Sequence, residues 1–122
     1  MTVNVRLRVL ILLVIVAVAW YAQSTWSFTP EQAMAGRAAY EQNCSTCHGA
    51  NLRQLPEALL AGREFAAKWG GRGTNELIAQ MRTSMPPTNP GGLPEETYAA
   101  IAAYLLQFNG GGADGGDRKS VV

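Results

Sequence analysis

Histidine occurs once in the 122 residues and cysteine twice, and the three residues stand within one five-residue segment. Two cysteines separated by two residues cannot form a disulfide framework, and bridging them to each other makes a strained loop. Four-ligand structural zinc is one protein ligand short after Cys44, Cys47 and His48, unless a carboxylate joins them. No Val/Ile-rich strands flank the pair, so the βαβ setting of a thioredoxin-like dithiol is missing. Charge of one sign is also missing. Ten Lys/Arg oppose nine Asp/Glu, a formal net charge of +1. This balance excludes the basic surface that nucleic acid requires. Partners must be met through local patches instead. No internal repeat is present, and the length suits one small domain.

What is there is Cys44-Ser45-Thr46-Cys47-His48, the C-x-x-C-H signature of c-type haem attachment. Two thiols on one helical turn can each add across a haem vinyl group. The histidine that follows then lies under the iron as its proximal ligand. Without a second histidine, bis-His ligation within one chain is excluded. A methionine thioether is the remaining natural sixth ligand, and there are four methionines. Met1 belongs to the N-terminal segment. Met34 lies ten residues before Cys44, too near in sequence to cross easily to the opposite haem face. Met81 shares a helical period with Leu77 and Ile78, the pattern of core packing. Met85 directly precedes Pro86-Pro87, which hold the chain out of helix and let a loop side chain point inward. Met85 is therefore the expected axial partner of His48. Trp69 is a candidate for a haem propionate contact, with a core aromatic as the alternative reading. Arg63, Arg72 and Arg82 are weaker candidates for the same role. Pro56 lies where a nearby carbonyl could orient His48 through Nδ1.

The N-terminus reads as a targeting segment. Arg6 and Arg8 precede an apolar run from Val9 to Trp20, and no charge follows until Glu31. Ala17-Val18-Ala19 offers an A-x-A cleavage pattern. The run is short for a membrane span, although residues 7–22, with Trp20 and Tyr21 as interfacial anchors, would make a marginal one. Cleaved signal and retained anchor both place the domain in the periplasm or at the outer face of the cytoplasmic membrane. Loss of Arg6 and Arg8 would leave eight basic against nine acidic residues, a net −1.

The expected organisation is a signal or anchor over 1–22, a linker over 23–28, a folded domain over 29–110 and a disordered Gly-rich tail over 111–122. Thr29-Pro30-Glu31-Gln32 starts a helix that runs to about Asn43, with Ala33, Gly36 and Tyr40 on one face. Pro56 opens a short helical turn. Residues 62–74 read as a glycine-rich stretch. A further helix begins at Thr74, and Pro86, Pro87, Pro90 and Gly91-Gly92 follow it as loop. The last helix starts at Leu93-Pro94-Glu95-Glu96 and stops at Asn109-Gly110.

These residues resemble the class I c-type cytochromes over roughly 29–110. Gly36 and Tyr40 stand eight and four residues before Cys44. Ile101 and Tyr104-Leu105 match the contact residues of the last helix, and Met85-Pro86 matches the methionine loop. Ala50-Asn51-Leu52, Lys68-Trp69-Gly70, Met85-Pro86-Pro87 and the spacing of Tyr98 from Tyr104-Leu105-Leu106 look closest to the cytochrome domains that accompany pyrroloquinoline-quinone alcohol dehydrogenases. The resemblance implies an all-α cytochrome c fold, with four to five short helices around one covalently bound haem c. It implies one-electron transfer between redox protein partners, a dehydrogenase donor and an oxidase or other respiratory acceptor, and no catalysis by the chain itself. A haem enzyme or gas sensor with an open sixth site is the alternative, as is an electron-relay subunit fixed in a membrane complex. A lysine-rich docking face, found in the soluble mitochondrial members, is not present.

Overall fold

Thr29 fixes where the chain turns helical. The Gln32 N–H donates to Thr29 Oγ1 at 3.1 Å, and the Thr29 N–H donates to Gln32 Oε1 at 2.9 Å. This reciprocal capping box satisfies two backbone donors that an open helix end would leave without acceptors. Pro30, which has no N–H to satisfy, takes the first helical position, and α1 runs Pro30–Asn43. The computed structural model describes residues 28–111, together with Asn4, residues 7–9 and Ile11. Most of the signal or anchor segment 1–22, the linker over 23–27 and the tail beyond Gly111 therefore lie outside the described residues. Among those residues, no helix is long and apolar enough to cross a membrane. Phe28 is already buried in the core.

Four more α-helices follow, and no strand occurs among the described residues. These are α2 (Ser45–His48), α3 (Arg63–Trp69), α4 (Thr74–Ser84) and α5 (Glu95–Phe108). A 3₁₀ turn, Pro56–Ala58, lies between α2 and α3. The turn expected from Pro56 through Ala61 is thus present but ends sooner, at Ala58. The α3 helix departs from expectation, because it falls inside the stretch that reads as glycine-rich. Residues 63–69 themselves have neither Gly nor Pro, and Phe65 and Trp69, four residues apart, form the buried side of α3.

The largest helix–helix interface is α1 against α5, with α4 packing more lightly on α5. Ala33, Gly36 and Tyr40 are the buried face of α1, as their spacing predicts. At Gly36 the backbones nearly touch. A Cβ there would lie 1.8 Å from the Ala100 carbonyl oxygen and 3.0 Å from Tyr104 Cβ. The Tyr40 and Tyr104 rings pack beside this point, with centroids 5.3 Å apart. On α5, Ile101, Ala102, Leu105 and Leu106 are fully buried. The far end is tied by Asn109. Its Nδ2 donates to Leu60 O at 2.9 Å and Leu105 O at 2.8 Å, and its Oδ1 accepts from the Gly62 N–H at 2.9 Å.

Candidate haem site

The C-x-x-C-H segment lies where α1 breaks into α2. Cys44 ends α1, its N–H bonded to Tyr40 O at 2.8 Å, and it begins α2 by accepting from His48 N–H at 2.9 Å. One residue thus serves both helices, which puts Cys44, Cys47 and His48 on a single tight turn. Gly49 closes the turn at φ +76°, a conformation that suits glycine. The buried Tyr40 hydroxyl donates to Gly49 O at 2.7 Å and locks this exit to α1. Leu52 follows at φ +62° and is fully buried, an uncommon backbone state for leucine.

An apolar cavity of about 510 Å³ opens over this turn, in the size range of cofactor sites. Cys44, Cys47 and His48 form part of its wall. Trp69 from α3, Leu77 and Met81 from α4, Met85 from the following loop, and Tyr98, Ile101 and Leu105 from α5 complete much of it. Separate stretches of chain therefore converge on one chamber. Met81 and Met85 both reach it. Met81 also packs, half-buried, against the hydrophobic core, which agrees with its helical period. Met85 lies just past α4, in extended backbone at φ −130°, ψ 146°.

The residues fit a covalently tethered haem. Both cysteines are free, Cys44 half-buried and Cys47 exposed. Burial, reinforced by neighbouring Cys47, pushes the Cys44 thiol up to about 11. A redox dithiol needs the opposite shift, because its thiolate is the nucleophile. His48 is 7% exposed, and its Nδ1 is buried without a hydrogen-bond partner. The expectation that a carbonyl near Pro56 orients Nδ1 is not met: Pro56 forms a cavity wall, and no acceptor reaches that nitrogen.

Trp69 is 5% exposed and lines the cavity, with Lys68 Nζ and Arg72 Cζ each 5.4 Å from its ring centroid. Arg63, Arg72 and Arg82 are not among the lining residues; Lys68 is. Arg82 instead lies 3.4 Å from Glu95, and Arg72 lies 3.8 Å from Glu76. Sequence reasoning missed Lys68, which its place beside Trp69 on α3 brings to the cavity. It also missed the bond from the Tyr98 hydroxyl to Met85 O, at 2.7 Å across thirteen residues. No local pattern signals such a contact.

A short helical shell enclosing an apolar chamber over C-x-x-C-H has the organisation of a c-type cytochrome domain. The family described as "Cytochrome C oxidase, cbb3-type, subunit III" matches residues 31–105, well over half of the sequence, and the chain belongs to that family. Membership implies haem c as cofactor and electron transport as the role. The chain is similar to the Cbb3-type cytochrome c oxidase subunit FixP of Rhizobium meliloti (strain 1021), with 27% identity over 85 residues. The similarity covers 67% of this chain and 29% of that relative, so the chain spans under a third of the relative's length. No solved structure matches.

Proposed function

We propose that this chain is an exported monohaem cytochrome c that carries single electrons at the outer face of the cytoplasmic membrane. It accepts one electron from a reduced donor and gives one to a respiratory acceptor of the oxidase class. The observation that carries the reading is convergence: the two cysteines, His48 and Met85 reach one apolar cavity from separate segments. When bound, haem supplies the ferric/ferrous couple. The chain supplies the rest. Cys44 and Cys47 would hold the group through thioethers, and His48 and Met85 would supply an imidazole and a thioether to the iron. The apolar walls exclude water and favour the less charged, reduced state. Trp69 and Lys68, both on the cavity wall, are the candidate propionate contacts. The resemblance to cytochrome domains of quinoprotein dehydrogenases makes such an enzyme a candidate donor. The kinship with an oxidase subunit supports the acceptor and a relay role inside a complex.

The axial assignment is tested by spectroscopy. The ferric protein should show the weak far-red band of sulfur bound to iron. Met85→Ala should abolish the band, lower the reduction potential and open the iron to cyanide or carbon monoxide. Met81→Ala should keep the band. Because Met81 is only half-buried, its loss should cost about 1–3 kcal/mol, at or below the lower part of the range for fully buried methionine. Loss of the band in Met81→Ala with survival in Met85→Ala reverses the assignment. A wild-type protein with no band and ready carbon monoxide binding favours a haem enzyme or sensor instead.

A further inference from the structure

The loop that carries Met85 is poor in the means to hold itself closed. Four of the ten residues from Met85 to Pro94 are proline, so four backbone donors are absent. The loop forms two short turns, Asn89 N–H to Pro86 O at 2.9 Å and Gly92 N–H to Asn89 O at 3.0 Å. Neither turn satisfies the Met85 carbonyl. Its donor comes from outside the loop: the hydroxyl of Tyr98, in the first turns of α5, at 2.7 Å. Tyr98 is 2% exposed and also lines the cavity. The same hydroxyl oxygen lies 3.5 Å from the Leu93 N–H, at the loop's other end. One buried phenol thus spans both ends of the loop, donating to its first residue and accepting from its ninth.

We propose that Tyr98 is a positioning residue, a clasp that holds the Met85 loop shut over the cavity and so sets how often the methionine leaves the iron. The proposal rests on the reading of Met85 as the iron ligand. Removing the hydroxyl while keeping the ring leaves a carbonyl without its donor, and the loop loses its tie to α5. Local opening then becomes commoner while the α1–α5 interface remains intact.

The experiment uses the full-length ferric haem protein and imidazole as the exogenous ligand. Imidazole binds only when methionine is off, so its apparent affinity rises in proportion to the open fraction. Tyr98→Phe should bind imidazole about tenfold more tightly than wild type, the effect of one unpaired buried carbonyl. Its far-red band should disappear at a lower urea concentration than its helical circular dichroism, whereas the two transitions coincide in wild type. Unchanged imidazole affinity and coincident transitions, with wild type showing the band and Met85→Ala losing it, overturn the clasp and leave the ligand assignment standing. A wild type without the band overturns the ligand assignment itself. A second measurement needs no variant. The rate of imidazole binding to wild type saturates at the loop-opening rate, and by NMR the Tyr98 hydroxyl proton should exchange no faster than that. Faster exchange shows the phenol releasing while the loop stays shut, and overturns the proposal.

Discussion

Tyr40 shows how one buried side chain links local geometry to pH behaviour. Its hydroxyl donates to Gly49 O and holds the turn that follows His48. Burial raises its phenol far above the usual tyrosine range, with Cys44 and Tyr104 adding to the shift. A raised folded-state value favours the protonated form. Its contribution is therefore complete below the unfolded value, near pH 10, and is lost as pH rises toward the folded value. Tyr40→Phe should cost about 1–3 kcal/mol at neutral pH, because the Gly49 carbonyl loses its donor. The gap between wild type and variant should narrow above about pH 10, where only wild type must keep the Tyr40 phenol protonated. Urea titrations of both proteins at several pH values check this, and a gap that is constant to about pH 12 refutes it. Sequence shows Tyr40 on the buried face of its helix, but not the atom its hydroxyl finds nine residues later.

Among the elements, α1 and α5 depend on a contact that permits no side chain. A Cβ on Gly36 would meet the Ala100 carbonyl at 1.8 Å. Backbone cannot yield as a flexible side chain does, so Gly36→Val should force the helices apart and cost about 1–3 kcal/mol or more. A variant that melts at the wild-type temperature would place the crossing elsewhere. The opposite end of α5 depends on Asn109. Asn109→Ala leaves the Gly62 N–H and Leu60 carbonyl without these partners, and should cost about 2–4 kcal/mol by urea denaturation. A loss under about 0.5 kcal/mol, the scale of an ordinary surface change, would mean that water replaces the amide. The α1 boundaries and buried face are legible in the sequence because cap, proline and spacing act locally. The α3 helix is not, because seven residues between glycines give too short a period to read. The bonds of Asn109 are also hidden, since their partners lie 47 and 49 residues away.

At the scale of the whole molecule, the three ion pairs found among the described residues are all on exposed side chains. Exposed pairs contribute little and are screened by salt. Stability must come from the packed helices and from the group that fills the cavity. Replacing both Cys44 and Cys47 with Ala should therefore remove covalent haem and leave the chain largely unfolded. Acid–acetone extraction with mass spectrometry reads the first effect and circular dichroism the second. A colourless double variant with native helicity would show that the protein shell folds alone. Raising sodium chloride from about 0.05 to 0.5 M should change the melting temperature of the haem protein by only a degree or two.

The sequence by itself determined the chemistry of the floor of the site and where the main helices begin. C-x-x-C-H is contiguous, so its spacing carries its meaning, and a capping box or a proline acts on its immediate neighbours. A single histidine excludes bis-His ligation within one chain by composition alone. Tertiary structure decided which residues share the cavity. It brought Lys68 rather than an arginine beside Trp69 into the wall, left His48 Nδ1 without an acceptor, and set the Tyr98 hydroxyl against the Met85 carbonyl. Each of these depends on the angle at which helices cross and the path of a proline-rich loop. Those are fixed by the packing of the whole chain, and no local run of residues encodes them.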